Sequence, residues 1–427
     1  MSTRRAFLKQ TAAASVAAAT SVQGARTAAN TAAAQRRVKA HRGPRTGSVV
    51  QLAIVGVGDI SPRYLKQAAA SQRARFVATC AHHLESAKAR ALEYGIGAWY
   101  DDYTAMYDAI APDGVVIATP NSLHAAPAIA AFERGIHVLC EKPMATTWED
   151  CRAMVAAAQR SGAVFLALPY DATPPFLAAL DLLNEATLGV FTGAEAQLLI
   201  PGTGRDNWYY DRSVVGGVML DTMVYPVSRL IGLMGPARRV TGFVNTLIPH
   251  RIVGGNTVDL VPPLLGGKSK VVKSNVDDNV SLVVEWSGGQ QALVRALWGT
   301  SFVRNDSAIY GRHGTLWLSG NDVVIHSPER AMPGAKPVTR ESYKGCYRLP
   351  VKALEDIRDE GLVGHFVDCI EGLRQPTCGG QQQLHVHEIL FKGYEAARSG
   401  RAQELETSFT PWHRIDPSFH DPRSRPI

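Results

Sequence analysis

Short apolar runs and longer amphipathic segments alternate between residues 48 and 140. The runs are rich in small and β-branched residues, as in strands buried on both faces of a sheet. They are Ser48–Val55, Arg75–Cys80, Gly114–Ala118 and Ile136–Leu139. Helical spacing predicts helices over Tyr64–Ala70 and Ala125–Arg134, the second ending at Gly135 in a left-handed cap. This alternation predicts a parallel α/β sheet of the Rossmann type.

The second half of the chain has closely spaced strand-like runs and few helices. The runs are Gly193–Leu199, Arg239–Thr246, Val280–Trp286, Gln291–Trp298, Ser307–Tyr310 and Thr315–Leu318. They predict a second α/β domain with a large open, mostly antiparallel sheet. Helices Phe176–Glu185, Met219–Leu233 and His385–Ala397 are expected to cover one face. We expect a homodimer or homotetramer to bury the other face, because an uncovered sheet would expose a large apolar patch.

Polar residues follow two of the buried strands in the first half. Thr119, Pro120 and Asn121 end one strand, and Glu141-Lys142-Pro143 ends the next. Ligands of parallel sheets lie beyond the carboxyl ends of the strands, so both groups should face one crevice. Lys142 is therefore a candidate chemical group.

The first strand runs into a glycine motif, Gly56-Val57-Gly58-Asp59-Ile60-Ser61. Its spacing matches the dinucleotide fingerprint, with Ser61 as the small third residue that lets the following helix pack on the strand. The two glycines would allow a tight turn and the approach of a pyrophosphate to the helix N-terminus. A plain turn is the alternative, but the flanking strand and helix favour a dinucleotide site.

The second strand ends at Cys80-Ala81-His82-His83, where an NAD-specific domain usually has an acidic residue. Ala81 takes that place, so no carboxylate would repel a 2′-phosphate. His82, His83 and Lys88 could accept one, which favours NADP over NAD, although NAD is possible. The alternative is that the two histidines are solvated loop residues.

The N-terminal segment differs in composition from the rest of the chain. Residues 1–34 carry Arg4-Arg5 before Phe7 and Leu8 and then an Ala-rich stretch, which is typical of a twin-arginine signal peptide. A frayed basic helix is the alternative. Residues 35–47 lack periodicity and are expected to form a linker. The twin-arginine pattern therefore predicts a periplasmic or otherwise exported protein. This route exports proteins already folded.

Composition excludes several classes of protein. The chain has 427 residues, 46% hydrophobic and 19% charged, and a formal net charge of +7. Lysine and arginine at 4, 5, 9, 26, 36, 37, 39, 42 and 45 account for nine positive charges before residue 46. A nucleic-acid partner is therefore not expected, nor is a membrane span once the signal is removed.

The cysteines and histidines do not indicate a metal site. The six cysteines, at 80, 140, 151, 346, 369 and 378, lack the spacing of a zinc site or a dense disulfide framework. Buried free thiols are expected, with a disulfide as the alternative. His385 and His387 are two residues apart and diverge on a helix, so no metal is predicted.

Four motifs together resemble the Gfo/Idh/MocA oxidoreductase family, and the resemblance covers nearly the whole chain. They are AIVGVGDIS at 53–61, ATPNSLHAAPAIAAFERGIHVLCEKPMAT at 118–146, GGVMLDTMVYP at 216–226 and YEAARSGR at 394–401. The tyrosine form of the third motif, at Tyr225, and the export signal are similar to the glucose-fructose oxidoreductase branch of the family. Two domains are expected, at residues 48–168 for the dinucleotide and 169–404 for substrate and oligomerisation, with an irregular tail at 405–427.

The resemblance implies roles for named residues. It implies that Lys142 is catalytic together with Asp221 and Tyr225. Trp208 would line the cofactor pocket, with ordinary core packing as the alternative. The residues expected around the cofactor are Gly56, Gly58, Asp59, Ile60, Ser61, His82, Lys88, Thr119, Pro120, Asn121, His124, Glu141, Lys142 and Trp208. His124 would touch the nicotinamide or substrate, or else be a structural histidine.

Two departures fall on the substrate side. Asp171 follows Tyr170 where glucose-fructose oxidoreductases have arginine, and Ile252–Asn279 resembles an extra loop. The expected function is therefore hydride transfer between NADP and a sugar or polyol carbon, with tightly bound cofactor and the particular sugar left open. The alternatives are glycoside processing by transient sugar oxidation, and a nucleotide-binding regulator without the chemistry.

Proton transfer is the remaining chemical question. Oxidation of an alcohol needs a base, and a free tyrosine, with a pKa near ~10, is a poor one at neutral pH. We expect Lys142 to lower the pKa of Tyr225 by about 3 units, which one positive charge at ~4 Å can do. The alternative is that Tyr225 only packs or hydrogen-bonds while Lys142 itself transfers the proton.

Overall fold

The computed structural model describes residues 49–169, 173–184, 188–203, 208–253, 270–320, 322–326, 336–337, 346–349 and 361–413. The predicted signal peptide and linker lie outside the described residues, as do Tyr170, Asp171 and the end of the predicted tail, residues 414–427. The middle of the predicted extra loop, residues 254–269, also lies outside them.

The first sheet is parallel, as the buried apolar runs predict. Its strands are β1 Val50–Val55, β2 Ala74–Cys80, β3 Trp99–Tyr100, β4 Gly114–Ile117, β5 His137–Cys140 and β6 Phe165–Ala167. They lie in the order β3-β2-β1-β4-β5-β6. Every residue of β4 and β5 is buried, because helices cover both faces of the sheet. The Rossmann architecture is therefore confirmed.

Five helices connect the described strands of this sheet. They are α1 Ser61–Ala69, α2 Leu84–Glu93, α3 Tyr103–Ile110, α4 Ala125–Phe132 and α5 Trp148–Ser161. A 3₁₀ turn at Asn121–Leu123 leads into α4, and Gly135 follows it with φ of 71°, the predicted left-handed cap. Pro62 begins α1 where no intrahelical N–H is needed.

The second sheet is large and mixed. The described strands are β7 Phe191–Ile200, β8 Arg239–Asn245, β9 His250–Val253, β10 Lys270–Lys273, β11 Asn279–Glu285, β12 Gln291–Trp298, β13 Arg304–Gly311, β14 Thr315–Ser319, β15 Asp322–His326, β16 Lys336–Pro337, β17 Cys346–Leu349 and β18 Gln403–Glu404. Apart from the separate β9–β10 pair, their order is β16-β17-β15-β14-β13-β7-β12-β11-β8-β18. Only the β7–β12 pairing is parallel among those described, so the mostly antiparallel sheet is confirmed.

Helices cover one face of this second sheet. The remaining described helices are α6 Pro174–Asn184, α7 Arg212–Val215, α8 Val218–Asp221, α9 Val224–Met234, α10 Gly361–Ile370 and α11 Gly380–Ser399. Side chains of α6, α9 and α11 share an apolar core with the sheet. The predicted single helix Met219–Leu233 is wrong in one respect, because Thr222 and Met223 separate α8 from α9. Asp221 therefore ends one helix and Tyr225 begins the next.

The chain returns to the first sheet near its end. Leu362, Val363 and Phe366 of α10 belong to the core between α1 and the first sheet. The ring of Phe366 packs on Gly114 of β4, and the carbonyl of Cys378 accepts a hydrogen bond from the N–H of Ala167 in β6. A segment within the range predicted for the second domain therefore completes the core of the first.

The described part of the tail, residues 405–413, has no helix or strand but is packed. Leu405, Phe409 and Trp412 lie against the apolar core of the second sheet. The Glu388 carboxylate accepts backbone N–H bonds from Glu406 at 2.7 Å and Thr407 at 2.8 Å. These contacts fix the tail to α11.

Within the described residues, no single helix has both the length and the apolar character needed to cross a membrane. One bent pair, Arg212–Asp221 with Val224–Met234, meets that criterion of length and composition when its two parts are taken together.

Candidate active site

The glycine loop at the end of β1 has the geometry of a dinucleotide cradle. Gly56 has φ of 95°, and a Cβ there would lie 2.4 Å from the Ala118 carbonyl, so only glycine fits. Gly58 is the opposite case, because a Cβ on it would meet no atom within 4 Å. Its backbone is therefore open to an incoming group. The residues present fit a bound pyrophosphate at the N-terminus of α1.

Ser61 anchors this helix. Its side chain is fully buried, and its hydroxyl donates to the Gly58 carbonyl at 2.8 Å. The serine therefore meets the packing requirement of the third position in the fingerprint and also ties the loop to α1. Asp59 and Ile60 are exposed, and Ile60 retains 37% of its surface.

The end of β2 presents basic side chains to solvent. His82 and His83 are exposed with ring centroids 4.8 Å apart, and Lys88 lies one turn into α2 with 43% of its side chain exposed. The Lys88 ammonium is 3.9 Å from the Glu85 carboxylate, an ion pair of little energetic weight at the surface. The neighbouring strand β3 ends at Asp101, an exposed carboxylate that sequence reasoning did not consider.

Asn121, at the end of β4, connects the two parts of the molecule. Its side chain is buried, and its amide donates to the Val215 carbonyl at 2.9 Å and to Asp221 Oδ1 at 3.3 Å. The prediction placed Asn121 against the cofactor. The structure turns its amide towards the second domain, where it contacts Asp221, and a contact of Asn121 with the cofactor stays a prediction. Thr119 and Pro120, which precede it, are half-buried.

His124 has structural partners, as in the alternative given above, and its contact with the cofactor or substrate stays a prediction. It is 1% exposed, and its ring nitrogens lie 2.7 Å from the Pro143 carbonyl and 2.9 Å from the Thr119 carbonyl. Burial lowers its pKa, and the two carbonyls oppose that shift. The ring thus holds the ends of β4 and β5 at a fixed separation.

Lys142, Asp221 and Tyr225 meet where the two domains join. The Lys142 Nζ donates to Asp221 Oδ1 at 2.7 Å and to the Asp221 carbonyl at 3.1 Å. It also lies 5.3 Å from the centroid of the Tyr225 ring. The Lys142 and Asp221 side chains are 18% and 8% exposed, so their ion pair is largely shielded from water. The three residues that the family motifs indicate are therefore adjacent.

The expected lowering of the Tyr225 pKa is wrong. Burial raises that pKa, and the Lys142 charge only partly offsets the effect, because Asp221 and Glu141 act against it. Burial alone would lower the pKa of Lys142, but Asp221, Tyr225 and Glu141 together outweigh burial and raise it well above its usual value. Both groups therefore hold their protons at neutral pH. Among the described residues, the Tyr225 hydroxyl has no hydrogen-bond partner.

Asp277 and Tyr394 were not among the predicted site residues, and their positions explain why the third motif needs glycine at 217. Gly217 has φ of 92°, and a Cβ there would lie 2.1 Å from Asp277 Oδ1. The buried Asp277 carboxylate accepts from the Met219 N–H at 2.8 Å and from the Tyr394 hydroxyl at 2.7 Å. It thereby caps α8 from outside the helix and fixes Asp221 at its end. Burial raises the pKa of Asp277, against the effect of these donors.

Asp277 also shows that part of the predicted extra loop is buried. Val276, Asp277 and Asp278 are buried, and Arg251 forms an ion pair with Asp278 at 3.1 Å with both side chains at most 2% exposed. Val253 and the segment 276–278 are therefore buried with the core, whereas Lys270–Lys273 is largely exposed. No motif or periodicity around Asp277 distinguishes it from a solvated loop aspartate, so the sequence offered no signal.

His387, on α11, holds the loop that follows Lys142. Its Nε2 accepts from the Met144 N–H at 2.9 Å, and its Nδ1 is 2.7 Å from the Gln383 carbonyl. Burial lowers its pKa to about 4, so it is neutral. His385 has separate partners, with Nε2 accepting from the Ala237 N–H. Across the described ranges, no group of three His, Cys, Asp or Glu side chains is placed to hold a metal ion.

Trp208 lies in a 3₁₀ turn, Trp208–Tyr210, that contacts α7. Its ring stacks on Tyr209 with centroids 4.1 Å apart and packs on the core of the second sheet. Core packing, the alternative weighed above, is therefore part of its role, and its place in the cofactor pocket stays a prediction. The cysteines at 80, 140, 151, 369 and 378 are buried free thiols.

A Rossmann sheet with an open glycine cradle, joined to a lysine–carboxylate pair at its carboxyl edge, defines a dinucleotide-dependent oxidoreductase. The model of the Gfo/Idh/MocA oxidoreductase family, with its NAD-binding Rossmann fold, matches residues 50–168. The model of the Gfo/Idh/MocA C-terminal domain matches residues 176–317. The chain belongs to this family and is an oxidoreductase of it.

Two curated relatives are similar to the chain. It is 27% identical over 361 residues to 1,5-anhydro-D-fructose reductase of Ensifer adhaerens, a match covering 83% of this chain and 98% of that protein. It is 30% identical over 207 residues to levoglucosan dehydrogenase of Pseudarthrobacter phenanthrenivorans, covering 47% of this chain and 53% of that protein. The chain thus spans about half the length of the second relative.

Solved structures show the same fold. The WlbA dehydrogenase from Bordetella pertussis, in complex with NADH and UDP-GlcNAcA, has a TM-score of 0.71 and 20% sequence identity. The likeness covers 86% of this chain and 100% of that one. The resemblance to the glucose-fructose oxidoreductase branch stays a prediction.

Proposed function

We propose that the protein interconverts an alcohol and a carbonyl on a sugar or related polyol, with NADP as its cofactor. The observation that carries this proposal is the shielded Lys142–Asp221 pair beside the glycine cradle. Two of its relatives, a dehydrogenase and a reductase, are named for carbohydrates, which supports the substrate class.

The cofactor would lie along the carboxyl edge of the first sheet. The N-terminus of α1 at Ser61 and the open backbone of Gly58 would hold its phosphates. Glu141 and Lys142 directly follow β5 and would lie next to the carbon that reacts. A bound nicotinamide would supply the acceptor or donor of a hydride.

The preference for NADP rests on charge at the end of β2. Ala81 offers no carboxylate to repel a 2′-phosphate, and exposed His82 and Lys88 are available to bind one. Asp101 on the next strand carries the opposite charge and would reduce the preference. A comparison of NADP and NAD affinity in Lys88→Ala tests this, since only the NADP affinity should fall.

Lys142 and Asp221 would act as a proton relay. A substrate hydroxyl at Lys142 gives its proton to Nζ as Nζ passes one to Asp221 Oδ1, which lies 2.7 Å away. The lysine stays cationic throughout and stabilises the negative charge that develops on the substrate oxygen. In the reverse direction the same relay protonates the new alcohol.

Tyr225 would orient the sugar. Its raised pKa keeps the phenol protonated, and its hydroxyl is available to donate to the substrate. Proton transfer therefore belongs to the Lys142–Asp221 pair, and Tyr225 provides a hydrogen bond.

Export and cofactor retention belong to the same proposal. The Arg4-Arg5 pattern supports export in the folded state, and nucleotide is not expected to be free outside the cytoplasm. The enzyme would therefore keep NADP bound and have it reduced and reoxidised by sugars in turn. A second copy of the chain would cover the open sheet face, where Phe243 is 76% exposed and Leu293 44% exposed.

Mass spectrometry of the purified, denatured protein, followed by a sugar screen that monitors reduced cofactor, tests the proposal. NADP should be released, and at least one sugar should reduce it. Protein that purifies empty and turns over only with added NADP would contradict tight binding. Release of an aglycone from a glycoside would indicate glycoside processing, and no redox change with any sugar or polyol would contradict the proposed activity.

A further inference from the structure

Tyr64 and Glu141 form a buried pair between the cofactor helix and the catalytic loop. Tyr64 is in the second turn of α1 and is 0% exposed. Its hydroxyl donates a short hydrogen bond to Glu141 Oε1. Burial and the adjacent Glu141 carboxylate raise the Tyr64 pKa, so the phenol remains the donor.

Glu141 stands directly beside the catalytic lysine. Its side chain is 9% exposed, and its Oε2 accepts from the Lys142 N–H at 3.1 Å. Glu141 also contributes to raising the pKa of Lys142, after the opposing effect of burial and the larger contributions of Asp221 and Tyr225. Two carboxylates, Glu141 and Asp221, are thus close to one ammonium, and only Asp221 hydrogen-bonds Nζ.

The hydroxyl of Tyr64 accounts for this difference. A carboxylate that loses a donor in a shielded site takes up another, and the strongest donor nearby is the Lys142 ammonium. With Tyr64 in place, Oε1 is occupied by the phenol and Oε2 by a backbone N–H. Glu141 is then held away from Nζ.

We propose that Tyr64 is a positioning residue that keeps Glu141 from capturing the Lys142 ammonium, so that Lys142 stays paired with Asp221. The proposal rests on the proposed function, in which the Lys142–Asp221 pair moves the proton. Tyr64 would thus connect α1, whose N-terminus would bind the cofactor phosphates, to the residues that transfer the proton.

Tyr64→Phe tests the proposal with the full-length protein, NADP and the sugar identified in the screen. We expect kcat to fall about tenfold, because redirecting a charge-assisted hydrogen bond misplaces the relay. The NADP Kd, measured by fluorescence of the reduced cofactor, should stay within about threefold, since the glycine cradle is intact. Tyr64→His, which retains a donor, should keep more activity than Tyr64→Phe.

Tyr107→Phe is the matched control. Tyr107 is 1% exposed in the same domain, and its hydroxyl makes one hydrogen bond, to the Pro127 carbonyl at 3.2 Å, away from the crevice. It should lower the melting temperature comparably and leave kcat within about twofold. An equal fall of kcat in both variants would assign the effect to stability alone and overturn the proposal.

The decisive experiment repeats Tyr64→Phe in a Glu141→Gln background, because a neutral amide cannot capture the ammonium. The tenfold loss should shrink to less than about twofold there. The same loss in both backgrounds, or a rise of the NADP Kd with kcat unchanged, would refute the role of Tyr64. Retained activity in Lys142→Met would instead refute the proposed function, so the two failures are distinguishable.

Discussion

Replacing Lys142 by methionine should abolish most hydride transfer, whereas removing the Tyr225 hydroxyl should cost little. Methionine keeps the length of the side chain but removes the ammonium that contacts Asp221 Oδ1 at 2.7 Å. Without it, the relay has no first acceptor, and general acid-base groups usually contribute ~10²- to 10⁴-fold. We expect a loss in that range for Lys142→Met.

The Tyr225 contribution should be smaller because the proposed function gives it a single hydrogen bond to the substrate. Burial raises the pKa of Tyr225, which disfavours it as a base at neutral pH. A neutral hydrogen bond is worth about 0.5–1.5 kcal/mol, which converts to a loss of about 2- to 12-fold in Tyr225→Phe. The loss should fall on kcat/KM.

The assay is the single-turnover rate of reduced-cofactor formation, monitored by absorbance after confirming that each variant retains NADP. Measuring cofactor content separates a chemical defect from an empty site. A Tyr225→Phe variant that retains NADP and is slowed by ~10² or more would refute the relay and return proton transfer to the tyrosine. Asp221→Asn should resemble Lys142→Met, since it removes the second acceptor.

Three further predictions concern the surroundings of the site. Ser61→Leu should lower the NADP content of the purified protein more than it lowers the turnover rate of molecules that still hold NADP, because a buried leucine would displace α1. Unchanged NADP content would contradict this. Gly217→Ala should lower the free energy of unfolding, measured by chemical denaturation, by roughly 3 kcal/mol. The control Gly289→Ala, at a residue with a similar φ but open space around the Cβ position, should lower it by roughly 1 kcal/mol. Equal losses in the two variants would contradict the packing argument. Burial lowers the pKa of His387 to about 4, so this residue disfavours folding as the pH falls through ~6.5. His387→Gln should therefore reduce the difference in unfolding free energy between pH 7 and pH 5 by about 2 kcal/mol, measured by chemical denaturation at both pH values; an unchanged difference would contradict this.

The first sheet could be predicted from the sequence because its signals are local. Strands buried on both faces read as continuous apolar runs, and the left-handed cap at Gly135 needs a residue without a Cβ. The short edge strands β3 and β6 were missed, since two or three residues carry no usable periodicity. The break at Thr222 was missed because the apolar spacing continues across it.

The adjacency of the three candidate catalytic residues could be predicted because they lie in motifs, but their environment could not. Lys142, Asp221 and Tyr225 were brought together as expected, whereas the direction of the Tyr225 pKa depends on burial and on neighbours from other elements. Asp277 and His387 act through tertiary hydrogen bonds to backbone N–H groups. Such partners are separated by 58 and 243 positions, and no local pattern records them.

The return of α10 to the first sheet has a consequence for synthesis of the chain. Phe366 packs against Gly114 of β4, yet it leaves the ribosome 252 residues later. Until then the apolar face beside α1 is open, so the nascent dinucleotide domain cannot complete its core. We therefore expect this domain to bind its cofactor only after nearly all of the polypeptide has been made, and a chain that ends before α10 to leave that apolar face uncovered.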